Sequence, residues 1–192
     1  VWPTMNPWLD SANTQPNPGN GIADGNPLYW LGKTTRRNEV NRITANTSVT
    51  YTIIPGLYFK GTANGYLFEN VNESFTKATQ SYAQIFSVPQ AFNTTRPATW
   101  SMGRTVQQQY NGILNYSKKF NQVHSIDLMV GTEYFGQSSL SAQVSGTNAP
   151  TDDIPTVNAS TTFASGSNFT SKSKYAIVSQ FGRLNYDYDG KY

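Results

Sequence analysis

The stretch Arg42-Ile-Thr-Ala-Asn-Thr-Ser-Val-Thr-Tyr-Thr-Ile-Ile-Pro-Gly-Leu57 decides the fold. Ile43, Ala45, Val49, Tyr51 and Ile53 fall on one parity, interrupted only by Thr47. Arg42, Thr44, Asn46, Ser48, Thr50 and Thr52 fall on the other. A period of two places these sets on opposite faces of an extended chain. The alternation outlasts the roughly 5–6 residues of an ordinary globular strand. Pro55-Gly56 then stands where a type II turn needs a fixed φ followed by a positive one.

The pattern repeats outward from this hairpin. Leu57, Phe59, Gly61, Ala63 and Leu67 oppose Tyr58, Lys60, Thr62, Asn64 and Tyr66. From Arg104, Val106, Tyr110, Gly112, Leu114 and Tyr116 oppose Thr105, Gln107, Gln109, Asn111, Asn115 and Ser117, with Ile113 the one exception. His124, Ile126, Leu128, Val130, Thr132 and Tyr134 oppose Ser125, Asp127, Met129, Gly131 and Glu133. A last strand from Lys174 alternates poorly, since Tyr175, Ile177 and Phe181 oppose Val178, Leu184 and Tyr186. It ends in an Asp189-Gly190 turn with no returning strand, as expected for part of a larger sheet.

Strands are therefore expected at about 37–54, 57–69, 104–118, 123–135 and 174–187, within one β domain. Polar loops rich in Pro, Gly, Ser, Thr and Asn are expected at about 1–34, 70–103 and 136–172. Within the second loop, Ser74–Phe86 carries a weak helical pattern.

Short turns at 54–57, 118–122 and 187–191 alternate with these long loops, so turns gather at one end of the sheet and loops at the other. That asymmetry predicts an all-β, antiparallel up-and-down transmembrane barrel segment of about five to six long strands. Tyr51, Tyr58, Phe59, Tyr116, Phe120, Tyr186 and Tyr188 lie beside the short turns, where an interfacial girdle would sit. The alternative is a secreted or surface carbohydrate-binding or adhesive β-sandwich. Strand length and the one-sided loops favour the barrel.

Composition narrows the chemistry. The 192 residues are 37% apolar and only 13% charged, with a net charge of +3. No cysteine is present, so disulfides and thiolate metal sites are excluded. Lys33 with Arg36 and Arg37 is the only basic cluster, too short for a nucleic-acid interface. No apolar run reaches the length of a transmembrane helix, which leaves transmembrane strands open. The chain opens at Val1-Trp2-Pro3 without a leader-like segment, as expected if a signal was removed or the N-terminus lies further upstream.

No catalytic, cofactor or metal residue is expected, and the chain does not read as an enzyme. His124 is the only histidine, so zinc sites and histidine-based triads lack parts. Asp152 and Asp153 are adjacent on a loop and seldom converge there. Asn185-x-Asp187-x-Asp189-Gly190 imitates the opening of a calcium loop but reads as turn chemistry. Triplets such as Asn46-Thr-Ser and Asn168-Phe-Thr arise by chance in a chain so rich in these residues. Two sets remain as candidate ligand contacts. Trp2, Trp8, Trp30 and Trp100 are expected on loops, to stack on sugar rings or to cap apolar residues. Arg42, Asn46, Asn64, Gln107, Gln109, Asp127 and Glu133 are expected to face a wet lumen.

Several short motifs also resemble one family. They are Asn26-Pro27-Leu28, Pro55-Gly56-Leu57-x-Phe59-Lys60, Asn115-Tyr116-x-Lys118-x-Phe120, Gly131-x-Glu133 and Phe181-Gly-Arg-Leu-Asn-Tyr-Asp-Tyr-Asp-Gly-Lys-Tyr192. In order and spacing they resemble the barrel region of SusC/RagA-like TonB-linked (TonB-dependent) outer-membrane transporters of Bacteroidota. The resemblance implies a 22-stranded barrel, of which this chain holds neither the plug domain nor the closing strand. It implies import of oligosaccharides or peptides with a SusD-like surface lipoprotein and the TonB complex, in outer-membrane lipid. Long loops would be extracellular and short turns periplasmic.

Overall fold

The computed structural model describes residues 6–18, 26–80 and 92–190. Its strands are β1 (Thr34–Ile54), β2 (Leu57–Thr76), β3 (Ala98–Phe120), β4 (His124–Thr147), β5 (Thr162–Phe163) and β6 (Phe169–Tyr188). β1 to β4 are neighbours in chain order, and β4 pairs with both the short β5 and the long β6. A β-sandwich would need a second sheet packed on the first. The described residues form one sheet, so the sandwich alternative is set aside.

Local chemistry accounts for the three short turns. Gly56 has φ +86°, the positive value expected of the Pro55-Gly56 turn. A Cβ there would also run into the Ser117 carbonyl oxygen, so both backbone conformation and space call for glycine. Asn121 and Gln122 (φ 46° and 63°) and Asp189 and Gly190 (φ 51° and 71°) each supply two successive positive φ values. That conformation lets a tight hairpin follow the natural strand twist. The Gly190 N–H donates to Asp187 Oδ1 at 3.0 Å. This bond uses the carboxylate in turn chemistry, as the sequence suggested.

The strands outrun the apolar alternation. β2 continues to Thr76, β3 begins at Ala98, β4 reaches Thr147 and β6 begins at Phe169. These extensions, such as Asn70–Thr76 and Gln137–Ser145, carry polar residues on one or both faces, which erases the period-two contrast. Ser74–Thr76 close β2 as strand, not helix, and residues 81–86 of that expected helix lie outside the described residues. A five-residue helix α1, Pro27–Leu31, occupies part of the expected first loop. Asn26 caps it by accepting from the Leu28 N–H at 3.1 Å, with proline at the first helical position.

Two compact units divide the chain. The first takes its described residues from 1–39, 70–102 and 141–170. It holds a small core of Phe75, Ala98 and Ala149, with Val157 and Ala159 packed against it. The second takes its described residues from 40–69, 103–140 and 171–192. It is bare sheet: none of its described hydrophobic side chains is buried.

Candidate functional site

In the second unit, side-chain contacts assign the two faces of the sheet. Asn64 Nδ2 donates to Gln109 Oε1 at 3.2 Å, joining β2 to β3. Gln107 Nε2 donates to Gln137 Oε1 at 2.8 Å, and the Tyr175 hydroxyl reaches the same oxygen at 3.3 Å. One face therefore carries even positions of β2 and odd positions of β3, β4 and β6. Asp127 lines a cavity of about 170 Å³ on this sheet with Asn115, Arg183 and Asn185. Glu133 shares the parity of Asp127. Arg42 sits 5.4 Å from the Phe68 ring, which carries the polar face onto β1. Asn46 is exposed on β1.

This polar face also explains the weak alternation of β6. Tyr175 and Phe181 stand on it, not on the apolar face. The Tyr175 ring lies 6.0 Å from that of Phe135. The Phe181 ring covers Gly131, where a Cβ would meet it at 2.5 Å. Aromatic rings seated among amides and hydroxyls give this face an amphipathic strip. Sequence parity alone could not assign it, because both faces of β6 carry large apolar residues.

The opposite face is apolar. Phe59 lies over Gly61 and Gly112, and Val130 lies near Gly182. Two aromatic groups bracket it. Tyr110 and Tyr134 stack at 6.1 Å, and His124 contacts Tyr186 and Tyr188 at 6.0 and 5.1 Å. His124 Nδ1 and the Tyr186 hydroxyl share a hydrogen bond at 2.7 Å, which satisfies the lone histidine structurally. Ten residues separate Tyr110 from Phe120 on β3. At ~3.3 Å per residue, the two ends of the band lie about 33 Å apart along the strand.

The first unit holds loops together through part-buried polar contacts. Asp152 accepts from the Ala78 N–H at 2.9 Å and from Arg96 Nε at 2.5 Å, and Arg96 also donates to the Ala149 carbonyl at 3.1 Å. Partial burial pushes the Asp152 carboxyl up. The Ala78 N–H, Arg96 and the nearby Lys33 charge outweigh that and hold it below the ordinary carboxylate value. Asp153 instead pairs with Thr151, so the two adjacent carboxylates do separate jobs. Lys33 donates to the Ala78 carbonyl at 3.0 Å while its ammonium lies 4.7 Å from the Tyr29 ring. Asn26 donates to the carbonyls of Pro7 and Asn17 at 2.9 and 2.8 Å, tying residues 6–18 to the start of α1.

The tryptophans do not form a cluster. Trp2 lies outside the described residues. Trp8 forms an isolated bridge with Pro16, in a turn where Asp10 accepts from Thr14 and Gln15. The Thr14 hydroxyl is the main reason the Asp10 carboxyl lies below its ordinary value. Trp30 is exposed on α1, edge-on to Tyr29 at 5.3 Å. Trp100 belongs to β3, not to a loop. Among the described residues no ring contact joins two tryptophans, and no group of three or more potential metal ligands occurs.

No family model matches the sequence, and no curated protein is similar enough to match it. Solved structures do match in fold. The chain is similar to a chain of the RagAB peptide transporter, with a TM-score of 0.71 and 16% identity over 92% of its length. It is similar to the RagAB peptide importer in its open-open state (TM-score 0.71, 17% identity, 92% covered) and its closed-closed state (0.69, 18%, 86%). In each case it spans only 18–19% of the matched chain. At this identity the likeness is one of fold: an antiparallel sheet matching part of a transporter's β-barrel. No helix among the described residues is long and apolar enough to cross a membrane, which says nothing of strands.

Proposed function

We propose that this chain is a piece of the barrel wall of a SusC/RagA-like TonB-dependent importer in the outer membrane of a Gram-negative bacterium. One observation carries the reading. The sheet that matches the RagAB barrel has one polar, hydrogen-bonded face and one apolar face banded by aromatics about 33 Å apart along the strand, which at the ~40° tilt of a membrane barrel would span about 25 Å. In this reading the apolar face meets lipid, while Asn64, Gln107, Gln109, Asp127 and Glu133 line a wet lumen. Arg42 and Asn46 continue that lining on β1.

The cargo would pass along that lumen without covalent chemistry, after capture at the extracellular loops. A peptide suits the polar face: side-chain amides can bond its backbone while Phe135, Tyr175 and Phe181 contact its apolar side chains. An oligosaccharide would use the same amides with ring stacking. The braced loops of the first unit would present Trp8 and Trp30 to a SusD-like lipoprotein, and TonB would supply energy from the inner membrane.

The test uses single cysteines in the full-length transporter reconstituted in lipid. A bimane label on Val130→Cys should be quenched by nitroxide on lipid chains. A label on Gln109→Cys should be quenched only by water-soluble nitroxide. Equal access of both sites to the aqueous quencher, with none to the lipid quencher, would overturn the barrel-wall reading.

A further inference from the structure

A polar cavity of about 270 Å³ lies at the loop end of β1, β2 and β3. It is lined by Arg36 and Asn38 of β1, Asn72 and Ser74 of β2, and Thr99 and Ser101 of β3. All six belong to the first unit. Phe75 and Ala98 share the small core of that unit, so the alternate positions of Ser74 and Thr99 belong to the opposite face. The Thr34 and Thr76 hydroxyls meet at 3.3 Å, which puts even positions of β1 on the same face as even positions of β2. One face of three neighbouring strands therefore gathers a guanidinium, two carboxamides and three hydroxyls.

Charge on that face is one-sided. Arg37 and Glu73 also border the cavity, but their odd positions place them on the core face with Phe75. Arg37 pairs with Glu39. Among the described residues the Arg36 side chain has neither an ion pair nor a hydrogen bond, and those of Asn38 and Asn72 have no hydrogen bond. The Thr99 hydroxyl does have a partner, the Ser145 hydroxyl at 3.2 Å. The cavity thus offers a fork of N–H donors, with amide and hydroxyl donors beside it and no anion on its face to meet them. A neutral sugar would leave the guanidinium idle, and a cation would be repelled. A carboxylate suits all three groups, because its two oxygens match the guanidinium fork and still accept from neighbouring donors.

We propose that Arg36, supported by Asn38, Asn72 and Ser101, binds a carboxylate of the peptide cargo. The inference deepens the importer reading and rests on it. Ser74 and Ser101 have the parity of Asn64 and Gln109 on the same strands, the parity read there as the lumen wall. Close to the strand ends that meet the loops, this cavity would be among the first parts of that wall to receive a captured peptide.

The test is isothermal titration calorimetry of the full-length transporter in detergent with synthetic peptides of Ala, Ser and Leu. One peptide is blocked at both ends and carries a central Glu; a second has Gln there. A third keeps the Gln but has a free C-terminal carboxylate. Wild type should bind the Glu peptide about tenfold more tightly than the Gln peptide. Arg36→Gln should abolish that preference and leave affinity for the Gln peptide unchanged, which shows that the variant still folds. Arg36→Lys should keep only part of it, since an ammonium cannot fork. A gain for the third peptide that Arg36→Gln removes supports the same site with the terminal carboxylate as its ligand. Equal affinity of wild type for all three, or a preference that survives Arg36→Gln, would overturn the subsite and leave a peptide importer standing. Failure of every peptide to bind would overturn the peptide cargo and the subsite together. Arg36-dependent binding of oligogalacturonate in their place would assign the site to an acidic glycan instead.

Discussion

The two units of this chain are stabilised in different ways. The first is held by a small buried core: Phe75 is 1% exposed, and Asp152, Arg96, Lys33 and Tyr29 fix loops around it. The second has no buried hydrophobic side chain among its described residues. It depends on strand pairing, tight turns and two chemically distinct faces. A sheet without a buried core needs its surroundings to complete it; in the barrel-wall reading proposed above, a bilayer on one side and water on the other would do so. Mutations should therefore act through burial in the first unit and through environment in the second.

The largest expected effect comes from breaking the core. Phe75→Ala removes the one large, fully buried side chain among the described residues and should cost about 3–4 kcal/mol locally. Hydrogen exchange of the full-length protein should show amides of 92–102 and 148–161 losing protection while 104–118 keep theirs. Equal loss in both stretches would mean that the units are not energetically separate.

The next test concerns two adjacent residues on β4. Val130 lies on the apolar face, while Met129 shares the parity of Gln137 on the polar one. Val130→Arg should cost about 2–4 kcal/mol in lipid, and Met129→Arg much less. Urea refolding into vesicles measures both. Equal costs would remove the environmental contrast.

A smaller effect is expected at the first turn, where neither core nor lipid decides. Gly56→Ala puts a Cβ against the Ser117 carbonyl and an L-residue at φ +86°. A loss of about 1–3 kcal/mol should follow. Because the clash is with β3, protection near Ser117 should fall along with that of the turn.

Legibility followed the same division. The strands of the second unit could be read because their two faces carry opposite polarities on alternate residues. Along Asn70–Ser74 and Gln137–Ser145 that contrast is lost, and extended backbone reads as loop. β6 was ambiguous for a different reason: Phe181 packs on Gly131, and a glycine leaves no sign in the sequence of the ring it will receive. The role of Asp152 was hidden by distance along the chain. Its partners Ala78 and Arg96 lie 74 and 56 residues away, so the Asp152-Asp153 pair looked like idle surface charge. Helix α1 was a missed local signal, since Asn26-Pro27 is a recognisable cap followed by a first-turn proline.

Asp152 gives the subtlest test of the contrast, because its contribution depends on pH. Its folded carboxyl titrates below the ordinary value of 3.8, so its stabilising contacts are complete above that value. They are lost as pH falls through the lower folded pKa. Protection of 92–102 and 148–161 should therefore hold at neutral pH and decline below about pH 4. Asp152→Asn should lower it by about 1 kcal/mol at neutral pH, a modest figure because a third of the side chain remains exposed. The same variant should flatten the acid dependence, since the amide has no proton to gain in that range. The strands of the second unit serve as the internal reference: their protection should not change between wild type and Asp152→Asn at any pH. A matching acid loss there would show that the decline reports the whole sheet and not this ion pair.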